Sequence, residues 1–170
     1  MVTSQEGACA WSLQPRFQSL LEGHVGQDIN KICTTKFTSP SENHCAHFVC
    51  HVLDINYGAV CGDMGWKTRG QGATIRVNEL YNNLQYTGQW EHRPAAVQGS
   101  FIFVLRAAHM RTNVMPAVPQ KHVGIVFRGS VYHYSNTADE VVRESVDDFH
   151  ARFKRAYSGG DISLYYGQFP

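Results

Sequence analysis

The sequence predicts an α+β fold in which N-terminal helices pack on a central antiparallel sheet. Three observations predict it: apolar residues at helical spacing in the first half, β-favouring apolar runs from Ser100 onward, and the separation of the two kinds along the chain. Strands alternating with helices would instead have predicted a parallel sheet. The 170 residues suit one domain, and no internal repeat, low-complexity segment or linker divides them, so residues 1–170 are expected to share one core.

Between Trp11 and Glu22, residues Trp11, Leu13, Phe17, Leu20 and Leu21 fall near helical spacing, with Pro15 suited only to a first turn and Gly23 available as a stop. The segment Thr38-Ser39-Pro40-Ser41-Glu42-Asn43 is rich in turn formers and capping side chains, and it leads into the apolar pattern Phe48, Val49, Val52, Leu53. Cys45 therefore falls in the first turn of a second helix. That helix is expected to end near Gly58, where Asp54, Asn56 and Gly58 accumulate. Glycines 62, 65, 70 and 72 mark a loop that lacks the order of a phosphate-binding P-loop, and Val77 to Leu84 can form a short helix. Phe101-Ile102-Phe103-Val104-Leu105 is a strand, and His122 to Phe127 and Val131 to Tyr134 flank the turn Arg128-Gly129-Ser130 as a hairpin. A helix from Ser145 to Tyr157 and a strand from Ile162 to Tyr166 complete the pattern.

Fifteen basic and fourteen acidic side chains nearly balance, and no basic run is interleaved with aromatics, which argues against a nucleic-acid partner. The longest apolar stretch, Val97 to Ala108, is interrupted by Gln98, Gly99, Ser100 and Arg106, so no membrane span is expected. Met1 to Arg16 has neither a basic n-region nor an apolar h-region; no ordinary secretory signal is expected, which places the chain in the cytoplasm of its producer. Five cysteines are an odd number, and a chain of this length folds without staples, so mostly free thiols are expected, with Cys9, Cys33, Cys50 and Cys61 structural. No cofactor is expected.

A cysteine in the first turn of a helix is where thiolate is favoured, because unpaired N–H groups and the positive end of the helix dipole both stabilise the anion. The same N–H groups, that of Cys45 included, are placed to receive a developing oxyanion. A base is then required, and His122, opening a strand that can cross the helix start, is the candidate. Its orienting partner depends on hairpin parity. A two- or four-residue loop puts Val131, His133 and Ser135 on the His122 face, whereas a three-residue loop puts Tyr132, Tyr134 and Asn136 there. The third residue is therefore His133 or, alternatively, Asn136.

The block Asn43-His44-Cys45-Ala46-His47-Phe48-Val49, followed by His122-Val123-Gly124-Ile125-Val126 and then Val131-Tyr132-His133-Tyr134-Ser135-Asn136, resembles the papain-like superfamily of NlpC-type cell-wall endopeptidases and CHAP-domain amidases. The resemblance implies a papain-like fold and a cysteine hydrolase that cleaves amide bonds of peptidoglycan peptides with Cys45 as nucleophile. Members of that family usually carry Asp-Cys-Ser/Ala-Gly-Phe-Val, whereas here Asn43-His44 precedes the cysteine and His47 takes the glycine position. Cys45-Ala46-His47-Phe48-Val49 also resembles a block of the lecithin:retinol acyltransferase group, a permuted branch in which His precedes Cys; here Cys comes first. With no signal segment expected, such an enzyme fits an antibacterial effector delivered by a contact-dependent secretion machine and neutralised at home by an immunity protein. A cytoplasmic thiol protease, deamidase or acyltransferase is the alternative on the same chemistry.

A different chemistry is a metal-binding module: His44, His47 and His51, at i, i+3 and i+7, share one helical face. No HExxH order accompanies them. Trp66, Arg69 and Arg76, on and beside the glycine-rich loop, are candidates for stacking on substrate or pairing with its carboxylates.

Overall fold

A computed structural model of the chain describes residues 15–158 and 160–170. Cys9, Trp11 and Leu13 lie outside them. The architecture is α+β: helices α1 (Pro15–His24), α2 (Ile29–Ile32), α3 (Cys45–Val52) and α4 (Val77–Asn83) precede most of the sheet, and α5 (Val146–Ala156) comes late. The sheet has six antiparallel strands, β1 (Thr87–Gln89), β2 (Gly99–Arg106), β3 (Lys121–Phe127), β4 (Ser130–Ser135), β5 (Glu140–Ser145) and β6 (Ile162–Gly167), in the order β1-β6-β2-β3-β4-β5.

The continuous apolar run of β2 is explained by burial on both faces. On one face Phe101, Phe103, Val123, Ile125, Tyr132 and Tyr134 pack against α1, α3 and α4; on the other Ile102, Val104, Val126, Val131 and Leu164 pack against Phe149 and Phe153 of α5. α5 is capped as its sequence suggests, with Ser145 Oγ accepting the Asp148 N–H.

Several boundaries differ from expectation. α3 stops at Val52 because Asp54 adopts a left-handed conformation (φ 54°), and Asp54 N–H donates to His51 O while Ile55 N–H donates to Cys50 O, a Schellman closure without glycine. The hairpin loop is two residues, Arg128 and Gly129, both at positive φ, so Ser130 already pairs with Phe127. The sequence reading missed α2, whose Asp28 side chain accepts the Asn30 N–H, and the strands β1 and β5, which are short or polar and run along the edges.

Gly124 lets the hairpin close beneath the site. A Cβ there would lie 2.9 Å from Val131 Cγ1, 3.1 Å from His133 Cβ and 3.1 Å from Tyr132 O. Gly124→Ala is expected to destabilise the fold by about 1–3 kcal/mol, because the packed Val131 side chain must shift and β4 must give by a few tenths of an ångström to relieve the overlap. A thermal melt checks it, and an unchanged Tm would contradict the packing.

Candidate active site

Cys45 is the first residue of α3, buried to 1% exposure against the start of β3. Burial pushes its thiol up to about 11, against the opposing pull of the Val123 and Ala46 N–H groups and the Lys121 charge. The helix start is not free, contrary to the sequence expectation: Cys45 N–H donates to Asn43 Oδ1 at 3.0 Å, and His44 N–H donates to Asn136 Oδ1 at 3.1 Å. Asn136 is thus engaged at α3 and not with His122.

His122 opens β3 and lies on the α5 face, 4.4 Å from Phe153 between ring centroids. The two-residue loop puts His133 on the same face, and His122 Nε2 and His133 Nδ1 stand 3.0 Å apart. His133 Nε2 stands 2.8 Å from Glu144 Oε1, and Arg152 donates to both Glu144 oxygens at 2.8 to 3.2 Å. With neutral rings this chain determines the tautomers. A carboxylate only accepts, so His133 carries its proton on Nε2, its Nδ1 accepts from His122 Nε2, and His122 Nδ1 holds a lone pair. Burial, with His133 and Arg152 nearby, pushes His122 well below the ordinary imidazole range, so the ring stays neutral. Among the described residues Nδ1 makes no hydrogen bond, and none joins Cys45 Sγ to His122. The two side chains flank the start of β3 from its two faces.

Two clefts, of about 320 and 280 Å³, share Asn43, Gln120 and Lys121 on their walls, so they adjoin next to residues that touch Cys45, which itself lines neither. The buried His122 and His133 lie at the base of the second, which Asn136, Arg152 and Tyr157 also line; the first adds Arg76 and Asn78. Trp66 and Arg69 line neither. Trp66 is 89% exposed with the Arg69 guanidinium over its ring, because Asp63 and Asn56 tie the glycine-rich loop down on itself, through Gly70 N–H and the Gly70 and Gly72 carbonyls. Sequence reasoning missed Glu144, Arg152 and Tyr157. Their only sequence signal was a polar edge strand followed by a helix with Arg152 eight residues beyond Glu144.

The histidines of α3 behave differently from a three-histidine site. His47 and His51 are brought together with Cys33 and Cys61, the four ligand atoms lying within 4.8 Å of one another. His44 stands outside this group, its Nδ1 3.1 Å from His47 Nδ1. Cys33 and Cys61, expected to be structural thiols, are free and buried, as are Cys45 and Cys50. No helix among the described residues is long and apolar enough to cross a membrane. Compared with known proteins, the chain matches no family model and no curated sequence.

Proposed function

We propose that the chain is a papain-like cysteine hydrolase, akin to the NlpC and CHAP enzymes, that cleaves amide bonds in peptidoglycan peptides. The observation that carries the proposal is the ordered relay Arg152–Glu144–His133–His122, which ends in an imidazole lone pair at the start of β3, the same strand end whose other face covers a cysteine at a helix start. His122 Nδ1 takes the Cys45 proton as the sulfur attacks the amide carbonyl, a step that requires the two groups to come within hydrogen-bond reach around the start of β3. The C–N bond then breaks, the amine leaves with that proton, and water, deprotonated by His122, releases the acyl group from sulfur. Asn43 Oδ1, 3.0 Å from Cys45 N, marks where a substrate oxyanion would accept the same N–H. Because Cys45 and His122 both rest neutral, the thiolate forms during attack and not before it.

The compartment follows from the substrate. The chain acts in a target periplasm after export by a contact-dependent secretion machine, with an immunity protein guarding the producer. Digestion of purified peptidoglycan fragments by the wild-type protein, with products identified by mass, tests the activity: a new amine and carboxylate at one amide bond is expected, and fragments left intact would overturn the proposal. Expression with an added periplasmic signal is expected to lyse cells that tolerate the unsignalled chain; equal effects in both compartments would remove the effector role.

A further inference from the structure

We infer that Cys33, His47, His51 and Cys61 form a Cys2His2 site for a zinc ion that pins the rear of helix α3. It is independent of the proposed hydrolase activity. The ligands come from three separate places: Cys33 just after α2, His47 and His51 one turn apart on α3, and Cys61 in the turn that follows.

Three of their six separations are tetrahedral edges, and all four atoms lie within 4.8 Å of one another. With Zn–S near 2.3 Å and Zn–N near 2.0–2.1 Å, tetrahedral edges are about 3.8 Å between sulfurs, about 3.3 Å between nitrogens and about 3.6 Å from sulfur to nitrogen. The structure has Cys33 Sγ to Cys61 Sγ at 3.8 Å, His47 Nε2 to His51 Nε2 at 3.1 Å, and Cys61 Sγ to His51 Nε2 at 3.7 Å. A disulfide would require sulfurs about 2.05 Å apart.

The surroundings prepare three of the four ligand atoms. Ser39 O only accepts, so His44 Nε2, at 2.8 Å, carries the proton; His44 Nδ1 then accepts from His47 Nδ1, and His47 Nε2 is left with a lone pair aimed into the cluster. Both sulfurs accept backbone N–H groups, Cys33 from Thr35 at 3.3 Å and Cys61 from Ala73 at 3.3 Å, which suits thiolates. Gly72 makes room, since a Cβ there would stand 2.4 Å from Cys61 Sγ. Two thiolates and two neutral imidazoles balance a divalent cation, so the buried site carries no net charge. Four protein ligands in a buried pocket leave no open position for substrate or water, which makes the site structural.

Elemental analysis of desalted protein, prepared under reducing conditions with zinc supplied, is expected to find about one zinc ion per chain. Cobalt in its place is expected to give the intense visible bands and thiolate charge transfer of a tetrahedral site. A Cys33→Ser/Cys61→Ser variant is expected to lose the metal, whereas Cys45→Ala retains it in full, which separates this site from the hydrolase chemistry. Should the double variant fail to fold, a mercurial thiol reagent added to wild-type protein is expected to release the ion to a chromogenic chelator. Wild-type protein holding less than about a tenth of an ion per chain, or a Cys33–Cys61 disulfide in the peptide map, overturns the site.

Discussion

Cys45→Ala is expected to lower kcat/KM on a peptidoglycan amide by a factor on the order of 10⁴ or more, His122→Ala by as much, and the double variant by no more than either alone. The reason is that thiol and imidazole act as a unit. Without His122 the thiol, pushed up to about 11 by burial, has no acceptor for its proton; without Cys45 the base has no nucleophile to activate. Additive losses in the double variant would mean that the two act separately. The pH profile supplies a second readout. Activity requires the neutral His122 ring, and burial holds its pKa well below 6.5, so the acid limb of kcat/KM is expected below the range of a free imidazole. A limb at or above 6.5 assigned to His122 would contradict the buried, neutral base.

Glu144→Gln is expected to affect both rate and stability. Burial alone would raise the Glu144 carboxyl, but hydrogen bonds from His133 and Arg152, together with the Arg152 charge, hold it at about 2. A depressed folded-state pKa stabilises the protein above the unfolded value near 4.5, and that contribution is lost as pH falls from about 4.5 to about 2. The amide substitution leaves one oxygen where His133 and Arg152 now share two. A loss of roughly 2 kcal/mol at pH 7 is expected, discounted because the Arg152 side chain is partly solvated. Melts from pH 7 to pH 2 check the sign, since wild type and variant should converge in acid; a constant gap would mean that the carboxylate charge is not the cause. As a positioning residue, Glu144 is also expected to support turnover, with kcat falling by about 10- to 100-fold and KM nearly unchanged, because the amide can present its NH2 group and reverse the histidine tautomers.

Local pattern was sufficient for the coarse α+β architecture and for the placement of the two chemically suggestive residues. Turn formers before an apolar helical pattern put Cys45 at a helix start, and a β-favouring run put His122 at a strand start. Both depend on neighbours in sequence. The choice between His133 and Asn136 hung on hairpin parity, a single-residue difference in loop length that a sequence containing Arg128-Gly129-Ser130 leaves open. The observed two-residue loop turns His133 toward His122 and frees Asn136 to cap α3.

What only the tertiary structure decided depends on groups distant along the chain. Glu144 sits on an edge strand too polar to announce itself, and it meets His133 only because β5 pairs with β4. Cys33, His47, His51 and Cys61 carry no compact motif, and the histidines alone suggested a set that included His44. Helical spacing could bring His47 and His51 together. Cys33 and Cys61 arrive through the packing of separate loops, a long-range convergence that no periodicity in sequence encodes.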